Sequence, residues 1–335
     1  MQKENAFSIA SLTSPRNTLP MNEFDLVRRY FAPLATSPGA DSLRDDVAEI
    51  SPGLIVTKDA IVEGVHFLSN DPLDTVAQKL VRVNVSDIIA KGGKPDAALL
   101  ALIWPKGRPH EGLEAFARGL GKDLERWGAR LVGGDTSATD GPLTLTLTLT
   151  GRVSPRGPVR RSGAEPGDDI WVSGTIGDSW LGLQAATDRL GPLSAEARNL
   201  LVSRYRVPEP PRLPFADLVA THATASIDVS DGLFADAGHV ATASGVRLTL
   251  RSVDIPLSAV AAHYVENAKA DLRALLTGGD DYQTLFTAPT SARAAIAATR
   301  GVSRIGEVGR GEGVVILDAV GAPLDFAGAS GWKHF

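Results

Sequence analysis

The sequence predicts an α/β or α+β protein of two domains with mixed sheets. Three observations carry this reading. Strand-like and helix-like patterns alternate through both halves of the chain. The stretch "LTLTLTLTG" (Leu143–Gly151) alternates strictly, leucine on one face and threonine on the other. That marks a half-buried strand in a sheet whose second face is open or meets another sheet. A charged stretch rich in Pro and Gly, "VSPRGPVRRSGAEPGDD", separates two runs of regular pattern, and 335 residues suffice for two domains. The boundary falls near Ser154, dividing the chain into domains 21–153 and 154–335.

Residues 1–20 have neither an apolar core nor a period, so they read as a disordered tail and not as a secretory signal. Met21 opens "MNEFDLVRRYF", which reads as an amphipathic first helix, and is an alternative start of the chain. "GLIVTKDAIVEGVHF" (Gly53–Phe67) mixes β-branched residues with glycine, as strand and loop do. Asp71-Pro72 reads as an N-cap and first-turn proline, and Gly92-Gly93 ends the helix after about five turns. "PHEGLEAFARGLGKDLERWGA" is a second helix, and "RLVGGDT" a short strand broken by its glycines. The second half restarts with strand "DIWVSG", a long helical section, strand "ATASID" and helix "SDGLFADAGHVATAS", which Gly245 ends. Further strands fall around Tyr282–Thr287 and Gly313–Leu317.

Composition excludes several classes. Hydrophobic content of 43% and charged content of 22% are those of an ordinary globular protein. A net charge of -5 without a long basic run argues against nucleic acid and anionic membrane as partners. The absence of cysteine removes disulfides, thiolate metal sites and cysteine nucleophiles, and fits a cytoplasmic home. No apolar run approaches the roughly 20 residues of a membrane helix.

The aspartates stand out. Asp45-Asp46 follow a loop in "LRDDVAEI", Asp59 closes "LIVTKD", and Asp135 follows Gly133-Gly134. Asp228 ends "TASID", and Asp231 opens the next helix. Counted at 100° per residue, Asp87 falls in the middle of an apolar stripe with Val76, Leu80, Val83 and Ala90. Taken singly, each is a turn or cap residue, or a buried carboxylate with a local partner. Taken together, separate segments deliver carboxylates to the edges where α/β proteins place ligands. So many like charges cannot remain ionised together without cations, and hard oxygen donors point to Mg²⁺. Magnesium in turn suggests phosphates, although no phosphate-binding G-x-x-x-x-G-K-[ST] loop is present. "SGTIGD" (Ser173–Asp178) lies between strand and helix, where it could approach a phosphate. Arg160 and Arg161 are candidate phosphate forks, and Ser230 either caps its helix or binds an anion there.

Read in order, these motifs resemble the thiamine-monophosphate kinases of the aminoimidazole ribonucleotide synthetase-like ATP-binding superfamily. The resemblance rests on "RDDVAEI", "TKDAIVEGVHF", "VNVSDIIAKGGKPDAAL", "LVGGDTS", "RRSGAEPGDDIWVSGTIGDS", "IDVSDGLFADAGHVATASGV", "LTGGDDYQTLF" and "GWKHF". It runs from about Met21 to Phe335. It implies transfer of the γ-phosphoryl group of ATP to thiamine monophosphate in a homodimer whose N-terminal domains form a shared β-barrel. Asp46, Asp59, Asp87, Asp135, Asp228 and Asp231, with Thr57 and Lys58 beside them, would meet several Mg²⁺ ions. Asp46, Asp87 and Asp135 would be central to catalysis. Gly134, Asp135, Arg161 and Ser230 would touch ATP, and His66, Asp280 and Trp332 the thiamine substrate.

Three positions depart from the family pattern. Arg44 replaces a usual glycine, Lys58 a usual threonine, and Asp280-Asp281-Tyr282-Gln283 a frequent Glu-Asp-Tyr-Glu. Asp280 is one methylene shorter than Glu, which implies a substrate contact through water. The chemistry fits on its own terms. A phosphate acceptor is already anionic, so the task is to bring two polyanions together, not to abstract a proton. The alternatives are another ATP-dependent synthetase of the superfamily and a non-catalytic metal- or thiamine-binding protein.

Overall fold

The computed structural model describes residues 23–267, 271–326, 328 and 331. The 1–20 tail lies outside them, and so does Trp332. Two mixed sheets organise the chain, as expected. The first contains β1 (Ala48–Ser51), β2 (Leu54–Val62), β3 (Lys94–Pro105), β4 (Arg130–Thr139) and β5 (Thr144–Arg152), in the order β1-β2-β5-β3-β4. Only the β3–β4 pair is parallel. Helices α2 (Leu73–Ala90) and α3 (Glu111–Trp127) accompany this sheet, and α1 (Glu23–Leu26) precedes it.

The second sheet runs β11-β8-β10-β6-β9-β7. Its strands are β6 (Asp169–Ser173), β7 (Ala225–Val229), β8 (Arg247–Arg251), β9 (Gln283–Ala288), β10 (Val302–Gly309) and β11 (Gly313–Leu317). The long helical section resolves into α4 (Asp178–Ala186), α5 (Ala195–Arg206) and α6 (Pro214–His222). After these come α7 (Leu233–Ser244), α8 (Ala259–Glu266), α9 (Leu272–Thr277) and α10 (Arg293–Ala297). No described helix is long and apolar enough to cross a membrane.

The Leu/Thr strand is as read. In β5, Leu145, Leu147 and Leu149 are fully buried while the threonines between them are half-buried. Those leucines pack into a core that also takes in α2, α3, Trp171, Phe215 and Phe286. Helix α2 is therefore enclosed from both sheets. It buries Val76 through Ser86 without a break, not the single stripe expected from its period.

Several local expectations are corrected. β4 does not break at its glycines. A Cβ on Gly134 would stand 1.9 Å from the carbonyl oxygen of Leu100, so glycine lets β4 close on β3. Of the helix read from Met21, the described part is one α-turn, Glu23–Leu26, which passes into a π-turn over 27–31, and neither turn buries a residue. Pro72, not Asp71, caps α2. The Asp71 carboxylate is taken by Arg206 Nε at 2.6 Å, Tyr205 Oη at 3.1 Å and the Leu68 N–H at 2.8 Å. Asp59 does not end its strand, because β2 continues to Val62.

Candidate active site

Alternation along β2 decides which side chains reach the site. Thr57 pairs with Leu149 and Asp59 with Leu147, so both share the buried leucine face. Asp59 thereby meets α2, where its N–H donates to Asn84 Oδ1, and Thr57 Oγ1 donates to Asp87 Oδ2. Lys58 pairs with Thr148 and points the opposite way. Its ammonium donates to Thr146 Oγ1 at 2.8 Å on the open threonine face, away from the carboxylates it was expected to join.

A cavity of about 1150 Å³ gathers Asp59, His66, Asp87, Asp228, Ser230, Asp231 and Asp280 in its wall, with Lys58 contributing at one side. Asp46 stands behind it. Carboxylate oxygens of Asp46, Asp87 and Asp228 all lie within 4.8 Å of one another. Two cations hold Asp46. Arg161 Nε donates to Oδ1 at 2.8 Å, and Lys91 Nζ lies 2.5 Å from Oδ2. Lys91 is itself fully buried, 2.8 Å from Asp45 Oδ1, and donates to the Ser226 carbonyl.

These partners divide the carboxylates into two kinds. Burial alone would raise Asp46, but Arg161 and Lys91 outweigh it and hold the group down at about 2. Asp59 is pushed up to about 6, chiefly by burial, with the charge of Asp46 adding to it. Asp228 is pushed up to about 7 by burial and then by Asp46. Asp87 rises well above the usual carboxylate range through burial and the charges of Asp59, Asp228 and Asp46. Crowded, all-oxygen and short of countercharge, this donor set suits a hard divalent cation, which would replace the mutual repulsion with attraction.

The loop after β7 is built backbone to backbone. Asp280 N–H donates to the Ser230 carbonyl at 2.8 Å, and a Cβ on Gly279 would come within 2.5 Å of that same oxygen. Gly279 at φ +71° and Asp280 at φ +66° make this approach possible. Ser230 is not the cap of α7. The N–H groups of Asp231 and Gly232 both donate to Asp236 Oδ2 at 3.1 Å. Asp280 in turn is held by Lys79 Nζ at 2.6 Å and Tyr282 Oη at 3.0 Å. Lys79 also donates to the His66 carbonyl at 2.9 Å, and His66 Nδ1 accepts from the Val62 N–H.

The structure thus brings together Asp46, Thr57, Asp59, Asp87, Arg161 and Asp228, with His66, Ser230, Asp231 and Asp280 at the cavity. It does not bring Gly134 or Asp135 there. Asp135 is exposed on edge strand β4 and, through Ala101 and Thr146, lies in register with the open threonine face. Lys79, Lys91, Asp236 and Tyr282 were not anticipated. The signal for the first two was available, since a lysine inside an apolar helical run needs a buried partner.

Two mixed sheets and a polycarboxylate cavity define the class. Residues 44–153 match the family model of the AIR synthase related protein, N-terminal domain. The thiamine-monophosphate kinase of Caulobacter vibrioides is 42% identical over 88% of this chain and 86% of its own length. That of Escherichia coli is 37% identical over 82% of this chain and 85% of its own. Among solved structures, "AaThiL complexed with AMPPCP and TMP" superposes with a TM-score of 0.83 at 33% identity, covering 97% of this chain and 100% of that one. The chain belongs to the thiamine-monophosphate kinase family.

Proposed function

We propose that this protein is an ATP-dependent kinase that phosphorylates thiamine monophosphate to thiamine diphosphate with Mg²⁺ bound. One observation carries the proposal. Asp46, Asp59, Asp87 and Asp228 converge from separate segments on a cavity whose wall also holds His66 and Asp280. The family relationship names the substrate, and the carboxylates account for how a polyanion could be held there.

In this reading Asp46, Asp59, Asp87, Asp228 and Asp231 hold Mg²⁺, with Thr57 positioning Asp87. The bound ions would supply charge neutralisation between two phosphates that otherwise repel. Arg161 and Ser230 face the ATP phosphates, and His66, Asp280 and Trp332 contact the thiamine moiety. Lys79 holds Asp280 and the His66 backbone in one geometry, which orients the acceptor for in-line attack. No side chain needs to take a proton, because the acceptor phosphate is already ionised. Gly134 and Asp135 are proposed as a further ATP and metal contact reached from β4.

A homodimer belongs to the same proposal. The threonine face of the first sheet is uncovered, and Leu99, Leu131 and Val132 are exposed beside it, between 46% and 63%. Such a face suits a second copy of the sheet. Light scattering at micromolar concentration tests it, with a monomer as the contrary result. The activity is tested by incubating the protein with ATP, Mg²⁺ and thiamine monophosphate and separating the products by chromatography. Thiamine diphosphate and ADP in equal amounts are expected. Product from thiamine but not from its monophosphate would overturn the substrate, and no product from either would overturn the reaction.

A further inference from the structure

A second cavity, of about 1300 Å³, borders the first. Ser179 lines both, and the segment 280–283 forms a wall between them. Asp280 and Tyr282 face the first cavity, while Asp281 and Gln283 face the second. The left-handed backbone at Asp280 and Tyr282, φ +66° and +51°, turns the chain within this stretch. The cavities are therefore neighbours built on one stretch of backbone, with different linings.

The second cavity is lined by Asp178, Glu209, Asp217 and Asp281 and by four arginines, and the two sets differ in their partners. Each of its acids is already engaged. Asp178 accepts from Thr175 and Ser258, and Asp281 accepts from the Gly177 N–H. Glu209 pairs with Arg82 and Arg126, and Asp217 pairs with Lys94. By contrast, Arg204, Arg212 and Arg300 line the cavity, and their guanidinium groups engage no partner among the described residues. Three arginines without a protein partner thus line one concave space. Leu200, Phe215 and Leu218 supply apolar surface in the same lining.

We propose that this cavity binds a small organic anion that carries a diphosphate on a flat ring. Guanidinium groups match phosphate oxygens in pairs, and several of them around one space favour a ligand with more than one phosphate. An apolar wall beside them gives a ring a place to lie. The volume exceeds what an inorganic ion needs. Both products of the proposed reaction, ADP and thiamine diphosphate, have this chemistry. The physiological source rests on that reading, while the site itself does not.

The test uses the full chain in EDTA. Without metal, the first cavity presents a carboxylate cluster with no divalent ion to bridge it to a diphosphate, whereas the second keeps its arginines. Calorimetric titration with ADP, thiamine diphosphate and pyrophosphate then reads the second cavity. At least one of the two organic diphosphates should bind at one site, about tenfold or more tighter than pyrophosphate. The double variant Arg204→Gln/Arg300→Gln, at unchanged melting temperature, should weaken that binding by about tenfold or more. The single reversal Arg300→Glu, at an exposed position, gives the same reading should the double variant fold poorly. Whichever organic diphosphate binds tighter identifies the source. Absence of binding by both in EDTA, equal binding by the arginine variants, or pyrophosphate binding as tightly as the organic anions would each overturn the proposal.

Discussion

Replacing Asp228 by asparagine should stabilise the metal-free protein at neutral pH and leave it unchanged near pH 4. Asp228 is 3% exposed, and burial together with the charge of Asp46 moves its carboxyl from the ordinary 3.8 to about 7. The folded state therefore holds this proton more tightly than the unfolded chain does. Below the unfolded value both states are protonated and the group contributes no difference. Between about pH 4 and 7 the unfolded chain ionises first, so stability falls as pH rises. At 1.36 kcal/mol for each tenfold change, the loss at pH 8 is on the order of 4 kcal/mol. Asparagine has no proton to lose and escapes it. For a chain of this length that is roughly 5–10 °C in melting temperature. His239 responds in the opposite sense, since burial and then Arg161 lower it to about 4. It is present in both proteins and cancels in the difference. The measurement is a thermal melt of wild type and Asp228→Asn in EDTA at pH 4, 6 and 8, repeated with excess Mg²⁺. The Asn variant should lead by a margin that grows with pH in EDTA. Magnesium should shrink or reverse that margin. A margin that is flat or negative in EDTA at pH 8 would refute the account of the carboxylate cluster.

Asp87→Asn should lower activity by at least about a hundredfold while metal-free stability holds or rises, because it relieves repulsion at a group already pushed upward. Asp135→Asn, measured beside it by turnover and melting, should leave metal-free stability unchanged because Asp135 is exposed; full activity in that variant would remove Asp135 from the site. Trp332→Ala should raise the Michaelis constant for thiamine monophosphate by about two- to thirtyfold and leave that for ATP alone, if an indole contact worth roughly 0.5–2 kcal/mol is lost. Arg82→Met should cost about 3–5 kcal/mol by urea titration, since Arg82 and Asp123 are 2% and 0% exposed and the carboxylate would be left uncompensated. Adding Asp123→Leu should recover much of that loss, and failure to recover would place the cost in packing instead.

Much of this site could be read before the fold was known. Asp46, Asp59, Asp87 and Asp228 belong to short phrases whose neighbours mark a loop, a strand or a helix, and the Leu/Thr alternation marked the two-faced sheet. What was not legible depended on direction and on distant partners. Lys58 and Asp59 are adjacent, yet the pleat sends one to the open face and the other to the carboxylates. Asp135 follows two glycines like a loop residue. A contact that only Gly134 permits keeps it within a strand, on the face away from the cluster. α2 was read as amphipathic because a period shows where apolar residues repeat. It does not show that a second sheet will cover the opposite side. That cover is why Lys79, Arg82 and Lys91 are buried with partners up to 201 positions away in sequence.

Those buried cations clarify how such a cluster can exist before any metal arrives. An isolated buried carboxylate lowers its desolvation cost by taking up a proton, and burial pushes Asp87 and Asp228 in that direction. If every carboxylate did so, the site would hold no permanent negative charge to attract a divalent ion. Asp46 is the exception, because Lys91 and Arg161 compensate it without neutralising the chain around it. Lys91 comes from the end of α2, and Arg161 from the stretch that leads into the second sheet. The same helix also contributes Asp87. Thus the element that both sheets enclose carries one of the carboxylates pushed upward and one of the cations that hold its neighbour down. Docking the two sheets around α2 is then what sets the charge state of the site.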